Sequence, residues 1–262
     1  MAMHLVASIR PASDLDAAVA ALVDSAAMTH AEARMRLAPE PPALLARVPA
    51  EDAIRVVAEL GRAGLPALSL DEDVPSDSDR FQVRSFAFEQ RSGQFTSRIG
   101  EPLAVAWDDV RLVLRGVRTS RTTTEHTETQ QKLAPGRAVL TGGLVFTRKT
   151  TSTVRNVQED SEQFLLLHTD AGLRLFLGEQ ALEFSGLGPL LQPARTANLG
   201  VLAEELRRRT PRAFHDDRLL RLGRRALPFV LGGGARRSDT RGVVDVLAEV
   251  LDQAVRTGLL PR

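Results

Sequence analysis

Two tripeptides of one pattern hold the residues best suited to metal chemistry. His126-Thr127-Glu128 and His168-Thr169-Asp170 each place an imidazole and a carboxylate two positions apart. Residues i and i+2 of a β-strand share a face, so each tripeptide would offer two metal ligands side by side. If the two strands pair, four ligands converge and support a metal-dependent hydrolase. Against this, the second tripeptide runs into a turn, and threonine-rich strands carry such residues without a metal.

Three further motifs lack the partners that their chemistry needs. His215-Asp216-Asp217 has no upstream histidines to complete a phosphohydrolase site, and Ser185-Gly186-Leu187-Gly188 lacks the pattern of a nucleophile elbow. Gly232-Gly233-Gly234 precedes a helix, where backbone N–H groups bind phosphate, but it lacks the lysine and spacing of a nucleotide-binding loop. We therefore expect no catalytic residue, no metal site and no cofactor.

Composition narrows the classes of protein further. The chain contains no cysteine, which excludes disulfides, thiolate zinc sites, iron–sulfur clusters and a cysteine nucleophile. Residues 1–10 lack the basic region and apolar run of a secretory signal. No apolar stretch approaches the roughly 20 residues of a membrane-spanning helix. We expect a cytoplasmic protein without a transmembrane segment.

Charge is distributed unevenly along the chain. Residues 1–79 carry 6 basic and 13 acidic side chains, whereas the whole chain has a net charge of +1. Such asymmetry bears on partners rather than on fold. Either the two parts of the chain attract each other, or the basic part binds an external anion.

Two sets of basic residues could contact such an anion. The first set lies in and beside two threonine-rich strands and would bind phosphate-bearing surfaces: Arg118, Arg121, Lys132, Arg148, Lys149 and Arg155. The second set is the densest basic region and would bind nucleic acid in a salt-dependent way: Arg207, Arg208, Arg209, Arg212, Arg221, Arg224 and Arg225. Base-stacking aromatic residues are sparse near the second set, which argues against a single-strand platform.

The first 70 residues alternate strands and helices. Apolar runs at 4–9, 44–48 and 65–70 predict three strands, and Ser13 and Thr29 are placed to cap two helices. A third helix begins after Pro49, and we expect its apolar stripe to comprise Ile54, Val57, Ala58 and Gly61. Residues 1–70 are thus predicted to form a small α/β domain.

Residues 71–79 are acidic and contain serine and proline, which predicts a solvated linker. The alternation that follows predicts antiparallel strands, a last strand at 181–184, and a closing helix capped by Thr196 with Leu199, Leu202 and Leu206 inward. Residues 80–210 are therefore predicted to form a β domain. Residues 211–262 are predicted to form a basic helical tail that ends in an amphipathic helix.

Both predicted domains resemble known folds. Thr29-His30-Ala31-Glu32-Ala33, then Pro41-Pro42 and the strand–helix–strand pattern of 48–70, resemble the C-terminal domain of the ribosomal stalk protein and the related Clp-protease adaptor domain. The glycines and lysines of the stalk protein's factor-binding face are missing, so this resemblance does not imply translation-factor binding. Residues 80–210 resemble a pleckstrin-homology-like domain in their order of strands and closing helix, which would imply a binding module.

These observations predict an α+β protein with two binding modules. The function that we expect is that of a non-enzymatic cytoplasmic interaction or adaptor protein whose partner is another protein. One alternative is a binder of anionic surfaces, either acidic lipid headgroups or nucleic acid, that uses the arginine-rich second half. The other alternative is the metal-dependent hydrolase built on His126 and His168.

Overall fold

The computed structural model describes the backbone of residues 2–133, 147–223 and 241–261, and the side chains of residues 2–119, 160–223 and 242–261. Two compact units are present. Unit 1 comprises Met1–Thr119 and Ser161–Arg262, and unit 2 comprises Ser120–Asp160. The described residues of unit 2 belong to the strands β7 (Val110–Leu133) and β8 (Thr147–Thr169).

Helices and strands alternate in the first part of the chain, and strands dominate the middle. The helices are α1 (Leu15–Ala26), α2 (His30–Leu37), α3 (Ala50–Arg62), α4 (Arg195–Arg209), α5 (Leu219–Leu222) and α6 (Arg241–Arg256). The strands are β1 (Met3–Ser8), β2 (Ala43–Pro49), β3 (Ala67–Asp71), β4 (Phe81–Phe88), β5 (Ser92–Ser97), β6 (Pro102–Ala106), β7 (Val110–Leu133), β8 (Thr147–Thr169), β9 (Arg174–Gly178) and β10 (Phe214–Asp216). Short 3₁₀ segments lie at Asp77–Asp79, Trp107–Asp109 and Phe184–Leu190.

A three-stranded antiparallel sheet, in the order β2-β1-β3, occupies the N-terminal part. Its central strand is buried on both faces. Val6 packs in the cluster of α1 and α3 side chains, which includes Val19 and Val56, whereas Leu5 and Ala7 belong to a different cluster. This period-2 alternation places helices on one face of the sheet and the rest of unit 1 on the other.

The larger sheet has the order β10-β7-β8-β9-β4-β5-β6. The strand β4 runs parallel to β9, and β10 runs parallel to β7. Along β8, Phe164 and Leu166 face the cluster that contains Leu5, while Leu165 and Leu167 face the cluster that contains α4. Both faces are therefore buried, which explains the unbroken apolar run of β8.

The last helix completes the first of these two clusters. In α6, Val243, Leu247 and Leu251 are buried together with Leu5 of β1 and Leu112 of β7. The amphipathic pattern correctly predicted this helix. The basic helical tail at residues 211–262 stays a prediction, although Val243 of α6 is buried in this cluster and Phe214 of β10 packs against it.

A buried carboxylate ties α6 to the larger sheet. Asp252 is fully buried, and its Oδ1 accepts hydrogen bonds from Nη2 (2.6 Å) and Nε (3.2 Å) of Arg111 on β7. Arg256 donates to Oδ2 at 2.9 Å, and Arg111 Nη1 donates to the carbonyl of Thr169 at 2.7 Å. Burial raises the pKa of Asp252, but His168 and Arg111 outweigh it and hold that pKa well below its usual range. The group is therefore a carboxylate at neutral pH.

Local predictions were right about most elements and wrong about some details. The predicted stripe of α3 was displaced, since the buried residues are Ala53, Val56 and Leu60, and Ile54 is 77% exposed. Asp14 and Ala194, rather than Ser13 and Thr196, occupy the N-cap positions of α1 and α4. The predicted strand at 181–184 is a single bridge between Ser85 and Glu183.

The acidic segment 71–79 contacts other parts of unit 1. Asp77 accepts hydrogen bonds from Arg80 at 3.1 Å and from Arg118 of β7. Arg80, whose side chain is only 3% exposed, also pairs with Asp245 of α6. The α+β fold class is confirmed. The domain boundaries stay a prediction, although unit 1 contains residues on both sides of this segment.

Replacing Asp252 by Asn should lower the free energy of unfolding by about 3–5 kcal/mol, because it leaves the buried guanidinium of Arg111 with only the partly exposed carboxylate of Asp170, at 3.3 Å. Urea denaturation followed by circular dichroism measures this. The control is Arg256→Gln, which removes only the partner whose side chain is 39% exposed, and it should cost about 1 kcal/mol or less. Equal costs for the two variants would contradict the role given to Asp252.

Candidate binding groove beside helix α4

The first predicted basic set is only partly within the described side chains. Arg118 pairs with Asp77 and, at 3.0 Å, with Glu162, and its guanidinium lies 4.1 Å from the centroid of the Phe176 ring. Arg118 thus has partners inside the fold. The other members lie outside the described side chains, and their anion-binding role stays a prediction: Arg121, Lys132, Arg148, Lys149 and Arg155.

The second basic set is largely matched by acids. Arg208 and Arg209 bind opposite oxygens of Glu205, and Arg221 binds Glu40. Arg207 lies 3.9 Å from Glu204 and 3.8 Å from Asp217, and Arg212 lies 3.9 Å from Asp108. Arg224 and Arg225 lie outside the described residues. Glu205 neutralises part of the arginine run that the sequence presented as free charge.

His168 has charged neighbours that do not suit a metal. Its side chain is 2% exposed, and Nδ1 lies 3.2 Å from Asp252 Oδ1. Arg111 uses the same carboxylate oxygen. In the part of the chain that the structure describes, no group of three or more His, Asp and Glu residues could hold a metal ion. The side chain of His126, the other half of the predicted site, lies outside that part.

His215 is also bound within the fold. Its Nε2 lies 3.0 Å from the carbonyl oxygen of Thr210 and 3.2 Å from the hydroxyl oxygen of the same residue. Neighbouring Asp216 accepts hydrogen bonds from the backbone and the guanidinium of Arg218. These contacts stabilise the short strand β10.

A groove of about 350 Å³ lies between α4 and the end of the 3₁₀ segment Phe184–Leu190. A volume of this size is within the range of ligand-binding sites in proteins. The groove is lined by Leu190, Gln192, Gly200, Val201, Glu204, Glu205 and Arg208. Beside it, Leu190 and Leu191 are 43% and 52% exposed, so the groove is bordered by apolar surface that contacts solvent.

Buried polar contacts fix one wall of the groove. Asn198, which is 4% exposed, donates from Nδ2 to the carbonyl of Gln192 at 2.9 Å, and its Oδ1 accepts from the amide of the same residue at 2.6 Å. This two-way contact holds the chain after Leu191 against the first turn of α4. Gly188 has φ +54°, and Pro189 follows it, which directs Leu190 and Leu191 away from the core.

The floor of the groove is open because of a glycine in the middle of α4. A Cβ atom at Gly200 would meet only Arg115 Nη2, at 3.7 Å, which is an ordinary van der Waals contact. Glycine lowers helix stability by about 1 kcal/mol relative to alanine. The glycine therefore lowers the stability of α4 although packing does not require it, and it leaves space in the groove.

The C-terminal end of the groove has three arginines of α4 beside two glutamates, Glu204 and Glu205. Arg207 and Arg208 have side chains 49% and 69% exposed, and Arg209 lies over the ring of Phe88 at 4.1 Å. The helix dipole favours cations at this terminus, so the three arginines stabilise α4 as well. Both oxygens of Glu205 are held by arginines, and the described lining residues include no imidazole or hydroxyl group.

Sequence reasoning did not find this groove. One signal was present, because an isolated glycine inside a helical pattern often marks a packing or functional site. Comparisons with protein-family models, curated protein sequences and solved structures gave no match. Within the described residues, no helix combines the length and the apolarity that crossing a bilayer requires.

The burial of His168 predicts a pH-dependent stability. Burial lowers the pKa of its imidazole below the ordinary value of about 6.5. The unfolded chain therefore binds more protons, and stability should fall as the pH decreases below about 6.5, by at most about 1.4 kcal/mol per pH unit for this group. His215, whose pKa is also lowered by burial, adds to the same window.

Urea denaturation of the wild type and of His168→Gln between about pH 7.5 and pH 5 tests this. The variant should lose less stability on acidification than the wild type, because the His215 contribution alone remains. Identical pH slopes for the two proteins would show that His168 is not a source of the dependence.

Proposed function

We propose that this chain is a non-enzymatic, cytoplasmic interaction protein whose groove beside α4 binds a short segment of a partner protein. The observation that carries the proposal is the groove itself, with a wall fixed by Asn198 and exposed leucines at its border. Exposed apolar surface rimmed by polar residues marks protein interaction sites. A preformed wall reduces the entropy that binding would cost.

The groove favours one chemistry of partner segment, an apolar side chain followed by acidic residues. Leu190, Leu191 and Val201 match an apolar anchor, and Gly200 leaves room for it. Two of the arginines at the C-terminal end of α4 have largely exposed side chains, Arg207 and Arg208. Arg208 and Arg209 share the single carboxylate of Glu205, so a carboxylate of the partner would complement the second positive charge and increase the rate of association.

The resemblances drawn from the sequence agree with a binding role. Residues 80–210 resemble a pleckstrin-homology-like domain, in which α4 would be the closing helix, and residues 1–70 resemble an adaptor domain. Folds of these kinds present surfaces to partners, but a fold does not fix a function. The resemblances do not indicate which residues contact a partner. In this proposal, the residues of the groove make that contact.

The two alternative functions have less support. A binder of anionic surfaces needs free basic groups, and most of the predicted arginines with described side chains have carboxylates beside them. A hydrolase built on His168 would place its metal beside Arg111, where like charge opposes the ion. Both alternatives stay predictions, because the first basic set and His126 lie mainly outside the described side chains.

Selection from a random peptide library on the full chain tests the proposal. We expect enriched peptides that carry an apolar residue next to Asp or Glu. Isothermal titration of one synthetic peptide should give at least about tenfold weaker binding to Gly200→Leu, whose side chain fills the groove. The matched control Gly200→Ala adds only a Cβ in ordinary van der Waals contact with Arg115, and it should bind like the wild type.

Salt and charge provide a second measurement on the same peptide. Arg208→Ala should weaken binding, and the difference from the wild type should shrink at high salt, since screening reduces the contribution of an exposed charge. Failure to enrich any peptide, or equal binding to Gly200→Leu and Gly200→Ala, would overturn the proposal.

A further inference from the structure

Glu205 is the carboxylate that two arginines at the C-terminal end of α4 share. Its side chain is 6% exposed, Oε1 accepts a hydrogen bond from Nη1 of Arg208, and Oε2 accepts one from Nη1 of Arg209. Two guanidinium groups around one carboxylate leave one positive charge in excess. This excess lies at the wall of the groove, because Glu205 and Arg208 both line it.

The two arginines differ in how firmly they are held. Arg209 also donates to the backbone carbonyl of Glu205 at 3.2 Å, and its guanidinium lies 4.1 Å from the centroid of the Phe88 ring. Arg208 has a side chain 69% exposed, and within the described residues its ion pair is with Glu205. A buried carboxylate must keep a donor, and Arg209 remains in place to supply it. Arg208 is therefore the arginine that can leave Glu205.

We propose that Glu205 is an internal competitor for the carboxylate of a bound segment. On binding, Arg208 leaves Glu205 and pairs with the segment, while Arg209 stays on Glu205. This inference rests on the proposed peptide-binding role of the groove, and it assigns the preference for an acidic segment to one arginine and one glutamate. Because one ion pair replaces another, the charge of Glu205 sets how strongly the groove distinguishes an acidic segment from a neutral one.

Arg207 is the other largely exposed arginine at this end of α4, and its surroundings are different. It is not among the described residues that line the groove, and it lies 3.9 Å from Glu204 and 3.8 Å from Asp217. Two acids thus balance its single charge, so Arg207 contributes no excess charge. It is the matched control for Arg208, because both are arginines of the same helix turn with exposed side chains.

Isothermal titration of the full chain with two synthetic peptides tests the exchange. The peptides share an apolar anchor and differ only in Asp and Glu against Asn and Gln. At low salt the wild type should prefer the acidic peptide, Arg208→Ala should remove this preference, and Arg207→Ala should keep it. Glu205→Gln should bind the acidic peptide about threefold tighter than the wild type, which is the size expected of a partly exposed ion pair, and the neutral peptide equally well.

The combined variant Glu205→Gln with Arg208→Ala separates exchange from a general change of charge. If Arg208 makes the exchange, Glu205→Gln should give no gain for the acidic peptide when Arg208 is absent. A gain that persists in the combined variant would overturn the inference, as would unchanged or weaker binding of the acidic peptide to Glu205→Gln.

The arginine variants decide the matter by themselves if Glu205→Gln fails to fold. A preference for the acidic peptide that Arg208→Ala keeps, or that Arg207→Ala removes, would also overturn the inference. The proposed function has a separate readout. Peptides that still bind more weakly to Gly200→Leu than to Gly200→Ala would leave the groove as the binding site even when the exchange is refuted, whereas equal binding to these two variants would overturn both proposals.

Discussion

The buried carboxylate of Asp252 is the interaction on which the rest of unit 1 depends. Apolar contacts alone would let α6 slide along the layer between the two sheets, because such contacts are not directional. Asp252 is bonded to Arg111 of β7, which also binds the carbonyl at the end of β8. A carboxylate without water must keep these donors, so one register of α6 against the sheet is strongly preferred.

The fixed position of α6 against the larger sheet also determines where the groove beside α4 lies. The faces of β7, β8 and β9 that point away from α6 pack against α4 and the meander of β4, β5 and β6. With its inner residues Leu199, Leu202 and Leu206 buried, α4 turns Gly200, Val201 and Glu204 outward and forms the groove. Within the described residues the meander ends at β6.

Sequence periodicity predicted the local elements well because each element obeys one burial pattern. The apolar stripe of α6 is one example. The hairpin of β8 and β9 is another, and in it Phe164 pairs with Gly178 and His168 pairs with Arg174. The prediction of the apolar stripe of α3 failed because Ile54 is exposed while the smaller Ala53 is buried. At these two positions the more hydrophobic side chain is not the buried one. The partners Asp252 of Arg111 and Glu162 of Arg118 are distant in sequence, and such pairings depend on tertiary geometry that no local pattern contains. Arg208 and Glu205 are three positions apart on one helix, so their pairing could be predicted from the sequence.

Hydrogen–deuterium exchange of the full chain, with and without a bound acidic–apolar peptide, tests the central claim most directly. Exchange reports the opening of individual backbone segments. The account predicts slower exchange on binding at residues 190–208, and unchanged exchange at β1 and α1. Protection located elsewhere, or no change at residues 190–208 while the peptide is bound, would contradict the claim that this groove carries the function.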